Sequence, residues 1–401
     1  MSMAERFDQV FVTLLHGVAG LFPEALREPG SLVVKLGSLL GVFGLLFGLT
    51  TVVERKAIAR MQNRLGPNRV GPWGFLQFAA DGIKSLTKED VVPRTADRWV
   101  HFLAPLALLV PVVLTFLVLP VGRNMVVADL DAGLLFFFAA GSSTELAVFM
   151  AGWSSRNKYS LLGAMRAIAQ MVSYELPFIL STVGVVMLSG TLSTVRIVEA
   201  QAAVPGEWLA RWNVFTPWGL VAFLIFFVAS FAEANRSPFD LPEGESEIVA
   251  GYFIEYSGFK FALFFMAEYL GMFSSSGMAV TLFLGGWTAP IAALNWVPSW
   301  IWFFWKLGSL ILIFIWVRGT TPRLRMDQLM DFAWKFLLPL ALAVLPLAAG
   351  WHWLGGGWRG WLVCGPVAAA AYLLLGRSLK GRGGFGPRVY RLVSGANPPL
   401  A

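Results

Sequence analysis

A chain of 401 residues that is 57% hydrophobic and 14% charged, with 33 Phe and 17 Trp, has too few polar side chains to coat a soluble globule of its size. The composition implies an all-α polytopic membrane protein, because helices satisfy their own backbone hydrogen bonds in hydrocarbon and about 20 residues cross it. The net charge of +7 is accounted for by basic loops beside a membrane, so nucleic acid is not an expected partner. One cysteine, Cys364, and three scattered histidines, His16, His101 and His352, assemble no disulfide, cysteine-ligated iron–sulfur cluster or two-histidine haem on their own. Electron chemistry associated with this chain has to belong to a partner.

Residues 1–30 include the apolar stretch "FVTLLHGVAGLF" behind Glu5 and Asp8. With no basic leader and no clear cleavage site, the pattern predicts an interfacial segment and not a signal peptide. Apolar runs then predict about nine spans, near 31–53, 100–120, 130–152, 161–189, 214–234, 260–284, 300–317, 332–350 and 359–376. The first eight form a core over 31–350, with loops at 54–99, 153–160, 235–260 and 318–331. Residues 351–401 hold the ninth span and a basic tail. Within the first loop, Phe75, Leu76, Ala79, Ile83 and Leu86 alternate with Gln77, Asp81, Lys84 and Lys88 at helical spacing, as in an amphipathic helix lying in the interface. Gly66, Pro67, Gly71, Pro72 and Gly74 make the stretch before it a string of turns.

Lys and Arg favour the cytoplasmic side. With nine spans, 22 of them fall on the side of the first loop and 6 on the other, which predicts the N-terminus outside and the C-terminus inside. Lys35, Lys306 and Lys335 fall within or at the edges of spans; Lys306 reads either as a counter-charge or as a snorkelling residue.

Three carboxylates interrupt this pattern at depth, and a fourth, Glu233, stands one residue before the acidic stretch 234–256. Glu145 lies about seven residues, roughly 10 Å, inside the inner end of the third span, Glu175 near the middle of the fourth, and Glu268 about one to two turns inside the sixth. Glu233 closes the fifth. A carboxylate at such depth is neutral, paired or facing a wet cavity, which makes it a candidate for proton transfer. The plainer alternative is polar glue between helices, such as a Glu175–Tyr174 neighbourhood. Arg166, nine residues before Glu175, is too far along the helix to pair with it.

The stretch "ANRSPFDLPEGESEIVAGYFIEY" (234–256) sets Asp240, Glu243, Glu245, Glu247 and Glu255 on the basic side, with Arg236 as its one cation. Pro238 and Pro242 predict an extended or turning "SPFDLP". Three carboxylates within "EGESE" repel one another and so take up protons more readily. A solvated acidic face is the ordinary reading of such a run.

Two long blocks, "ERKAIARMQNRLGPNRVGPWGFLQFAADGIKSLTKED" and "EANRSPFDLPEGESEIVAGYFIEYSGFKFALFFMAEY", with "KYSLLGAMRAIAQMVSYELP" and "RLRMDQLMDFAWKFLLPL", closely resemble one membrane-subunit family of respiratory complex I. That enzyme is the proton-pumping NADH:quinone oxidoreductase, and the family is the one called subunit 1 in mitochondria. The resemblance covers about residues 30–350. Phe78 stands where the family leads one to expect proline, and the tail beyond about 350 is longer than in many members.

The resemblance implies a multi-pass subunit of a bacterial plasma membrane that holds no cofactor itself. Quinone is the substrate, and NADH, FMN and iron–sulfur clusters reside in partner subunits. It implies loops that help close a quinone chamber, with Arg55, Arg60, Arg236, Phe239 and Asp240 as candidate chamber residues. It further implies that Glu145, Glu175, Glu233, Glu243, Glu245 and Glu247 form an acidic chain from that chamber toward the membrane's polar axis, which Glu268 joins by its depth. Two other readings fit part of the pattern: the equivalent subunit of a membrane-bound hydrogenase or a ferredoxin- or deazaflavin-linked complex, and a stand-alone ion transporter. The absence of an internal repeat weakens the latter.

Overall fold

The computed structural model describes residues 8–9, 12–13, 17, 23, 27–202, 210–241 and 251–380, and among these the chain is helical with no strand. The helices are α1 Arg27–Met61, α2 Gln77–Thr87, α3 Arg98–Thr115, α4 Gly133–Ser154, α5 Lys158–Ser189 and α6 Thr194–Ala200. They continue as α7 Pro217–Glu233, α8 Gly258–Phe283, α9 Ser299–Thr320, α10 Met326–Phe332, α11 Leu338–Trp353 and α12 Gly357–Lys380. Each expected apolar segment coincides with one of them, α10 and α11 together answering to the eighth. Seven are long and apolar enough to cross a membrane: α1, α3 with its 3-10 extension, α4, α5, α9, α10 joined to α11, and α12. Helix α7 is shorter at 17 residues, and α8 runs for 26.

Local chemistry sets several boundaries. Asn157 caps α5 by accepting from the Tyr159 amide (3.0 Å), and Gly190 ends it in the left-handed region at φ 65°. A π turn, Ala333–Leu337, joins α10 to α11 directly ahead of Pro339, whose ring lacks the amide that a regular helix would donate to Lys335. Helix α1 continues eight residues past the expected end of its span, because "ERKAIARM" is polar yet strongly helix-forming.

Hydrogen bonds between connections define two ends of the bundle. At one, the Asp97 amide donates to the Ser154 carbonyl (3.0 Å), the Val91 amide to Ser257 Oγ (2.8 Å) and the Leu324 amide to the Pro238 carbonyl (3.2 Å). This end gathers the first loop and the 234–241 turn, and we call it the basic end. At the other, Thr194 Oγ1 donates to the Val118 carbonyl (2.7 Å) and Asn213 Nδ2 to the Leu282 carbonyl (2.7 Å).

Between them aromatic packing fills the core: Phe178 stacks on Phe226 (ring centroids 4.3 Å apart), Phe231 on Phe314 (3.8 Å), and Phe43 lies against Phe116 (4.6 Å). Helix α2 is amphipathic as its spacing predicts. Gln77 and Asp81 turn toward α1 through a 3.0 Å bond between them and a 2.6 Å Arg55–Asp81 pair. Phe75, Leu76, Ile83 and Leu86 face outward. The helix runs unbroken through Phe78, whose ring lies so close to Gly48 of α1 that a Cβ there would sit 2.6 Å from it.

Candidate functional site

Helices α4, α5, α7 and α8 bring the deep carboxylates together. Glu175, Glu233 and Glu268 line one cavity of about 70 Å³ with Ser142, Asn235, Tyr252, Ser274 and Ser275. One water needs roughly 10–15 Å³ by this measure, so the space holds several. Glu145, next to the lining residue Thr144, lies near enough to Glu175 for their charges to interact, and Glu233 lies near enough to feel both. Ser142 Oγ donates to Glu175, and Tyr252 Oη donates to Glu268 (3.1 Å). Buried oxygens of Glu145 (Oε1) and Glu233 (Oε2) have no hydrogen-bond partner among the described residues. The Glu175–Tyr174 pairing considered above does not form: Tyr174 Oη donates to the Leu329 carbonyl (2.9 Å) instead. Glu268 sits ten residues, almost three turns, into α8, deeper than expected because the helix begins at Gly258.

A second cluster lies at the basic end. Glu54 of α1, 4% exposed, accepts from Arg236 (3.2 Å), from Arg318 of α9 and from Tyr269 of α8 (2.6 Å). The Arg236 guanidinium also lies 3.9 Å above the Tyr269 ring. Burial works against the charge of Arg236, but Tyr269, Glu54 and Glu268 outweigh it and hold the group above its ordinary range. Charge here is fixed by direct contact, whereas the cavity gathers groups of one sign.

A single turn connects the two. Glu233 and Asn235 line the cavity and Arg236 enters the ion cluster. The turn is held by Gln170, fully buried in α5, whose Nε2 donates to the Ala232 (2.8 Å) and Phe239 (2.8 Å) carbonyls and to Asn235 Oδ1 (3.3 Å). The Phe239 amide in turn donates to the Arg236 carbonyl (2.8 Å), so "SPFD" turns as the prolines predict.

The remaining expected site residues are placed as follows. Phe239 is buried with its ring 5.2 Å from Tyr174, and half-buried Asp240 stands one residue before Leu241, where the described part of the turn ends. Arg55 and Arg60 are exposed on the last turns of α1, and Arg55 turns away from Arg236 toward Asp81. Glu243, Glu245 and Glu247 lie outside the described residues. Glu255 accepts from Asn157 Nδ2 (2.7 Å). Nearby, Tyr256 stacks on His101 (4.0 Å) and shares a 3.1 Å hydrogen bond with Ser154, and burial pushes its phenol up to about 12.

Sequence reasoning missed Glu54, Arg318, Tyr269 and Gln170. Glu54 is the first charge after the apolar run 36–53, a sign of a boundary acid. Its partners stand 182, 215 and 264 residues away. Lys306 is neither a counter-charge nor a snorkelling residue. It is buried, and its Nζ donates to the carbonyls of Leu284 (2.6 Å), Gly286 (2.9 Å) and Thr288 (2.8 Å) beneath the Trp212 ring (4.0 Å).

Fold and site together define a polytopic membrane protein organised around buried charge. The family model described as NADH dehydrogenase matches residues 34–349, and the chain belongs to that family. It is similar to an NADH-quinone oxidoreductase subunit of Rubrobacter xylanophilus, at 49% identity over 325 residues covering 81% of this chain and 96% of the relative. The same-named protein of Geobacillus kaustophilus is 47% identical over 321 residues, covering 80% and 93%. That of Polaromonas naphthalenivorans is 42% identical over 350 residues, covering 86% and 97%.

Proposed function

We propose that this chain is the membrane subunit of a bacterial proton-pumping NADH:quinone oxidoreductase that closes part of the quinone chamber and couples quinone reduction to proton movement. It crosses the plasma membrane nine times, with its N-terminus outside and its basic end in the cytoplasm. The observation that carries the reading is the 232–239 turn, which holds Glu233 in a hydratable carboxylate cavity and Arg236 in a buried ion cluster three residues away. Charge developing on quinone at the basic end acts on Arg236 and on the acidic residues Asp240, Glu243, Glu245 and Glu247. The turn passes that change to Glu233, Glu175, Glu145 and Glu268.

Carboxylates this close repel one another when all are ionised, so they hold shared protons that a displaced neighbouring charge redistributes. NADH, FMN and iron–sulfur clusters belong to partner subunits in this reading, and the single cysteine supports it. Family membership favours it over a stand-alone transporter. The names of the similar proteins favour it over a hydrogenase component.

The test is Glu175→Gln in the assembled, reconstituted complex. Quinone-coupled pumping is expected to be abolished while the complex still forms; full proton stoichiometry in the variant would refute the relay.

A further inference from the structure

We infer that Lys306 seals the carboxylate cavity against the end of the bundle opposite the basic end, as a fixed cation that protons do not pass. The inference rests on the reading of the cavity as a proton-handling site.

Helix α8 runs from the basic end, where Ser257 precedes it, to the opposite end, where Leu282 accepts from Asn213. Glu268, Ser274 and Ser275 line the carboxylate cavity, and just past the end of the helix Trp287 and Thr288 line a polar cleft of about 790 Å³ at the opposite end. Ser276–Phe283 lie between Ser275 and Leu284, a septum about 14 Å thick along the helix. Gly277–Phe283 are all buried, which makes the septum tight but not wholly apolar. Thr281 Oγ1 donates to the Gly277 carbonyl (2.9 Å), and the fully buried Ser276 hydroxyl has no partner among the described residues. Hydroxyls of this kind carry protons once water reaches them.

Lys306 stands at the far side of that septum. An ammonium has three N–H groups, and the Leu284, Gly286 and Thr288 carbonyls take all three. No carboxylate among the described residues forms an ion pair with it. Its positive charge is therefore immobile, and among the described residues no carboxylate neutralises it, the Trp212 ring being the side chain against it. The α8 C-terminus contributes only about half a unit of opposite charge.

The carbonyl seat is built to a close fit. Gly285 and Gly286 adopt φ 70° and 52°, and a Cβ on either would come within 2.4 Å of Trp212 or 2.6 Å of Val198. The Gly286 amide closes the turn on the Val280 carbonyl (2.8 Å). A fixed cation at the mouth of a narrow passage raises the energy of any proton or cation entering it, the device by which channels exclude protons.

The test is passive proton leak through liposomes holding the whole complex, under an imposed membrane potential and without turnover, so that it reads independently of coupling. Lys306→Met and Lys306→Gln are expected to raise the leak roughly five- to tenfold, which is what a unit charge about 14 Å away contributes at an effective dielectric of 20. Both should lower the protons retained per electron without slowing quinone reduction, and Lys306→Arg should leak like the parent. Adding Ser276→Ala and Thr281→Val to Lys306→Met should suppress the excess leak.

A tight membrane in both neutral variants would overturn the inference. So would failure of both to assemble while Lys306→Arg assembles, since the charge would then serve folding. If Glu175→Gln kept full pumping while Lys306→Met leaked, the coupling reading would fail and the seal would stand.

Discussion

The ion cluster around Glu54 and the cavity around Glu175 use the same side chain to opposite ends. Glu54 is met by two guanidiniums and a phenol, so its charge is compensated and held. Among the described residues, Glu145, Glu175 and Glu233 are met by a serine and by each other, so like charges face one another where no bonded cation separates them. Burial alone does not make a carboxylate functional. Among the described residues, what distinguishes the two regions is whether an arginine contacts the carboxylate directly, and the turn pinned by Gln170 joins one region to the other.

The comparison breaks most severely at Glu54. Glu54→Gln leaves buried Arg236 and half-buried Arg318 without their anion, and the buried Glu54–Arg236 pair alone sets a loss of about 3–5 kcal/mol when one member is removed. Little assembled complex should be recovered from membranes by native electrophoresis, and normal recovery would show that the cluster is not structural. Gln170→Leu leaves the Phe239 carbonyl without its donor, at about 1–3 kcal/mol for a buried group left unsatisfied, while the Ala232 carbonyl keeps the Asn235 amide (3.2 Å). The complex should assemble with a lowered Tm, and pumping should fall further than quinone reduction. An equal fall in both would separate the turn from coupling.

Tyr256→Phe removes one hydrogen bond, worth about 1 kcal/mol. With its phenol raised to about 12, the parent residue's contribution is fully present below the unfolded value near 10 and is lost as pH rises through 12. The Tm difference between parent and variant should therefore be flat from pH 6 to 9. Asp81→Asn breaks an exposed pair with Arg55, worth less than about 1 kcal/mol, and should leave stability almost unchanged.

Much of the fold was legible because hydropathy reports burial in lipid directly: every expected apolar segment is a helix. The end of α1 was not, since polarity marks where a helix leaves hydrocarbon and not where it stops. Among the candidate residues, Glu145, Glu175 and Glu268 announced themselves by depth, each a lone acid in an apolar run, and Glu233 by its place beside the acidic stretch and by the family resemblance. Glu54 did not, because an acid beside Arg55 at the edge of a span resembles a loop charge, and its meaning depends on arginines that approach only in the folded chain. Lys306 was read from its place in a span as either a counter-charge or a snorkelling side chain, whereas three carbonyls from a glycine turn seat it in the interior. Gln170 carries no charge and sits among small residues of α5, so nothing local marked it as the pin of a loop 62 to 69 residues away.

The central claim is that protons on the cavity carboxylates rearrange when quinone is reduced at the basic end. Infrared difference spectra of the assembled complex, recorded on quinone reduction, read the carboxylic-acid carbonyl stretch directly. The expected result is a protonated-carboxyl signal that is lost in Glu175→Gln and shifted in Glu233→Gln. A spectrum with no such signal, or one unchanged by both substitutions, would contradict the account.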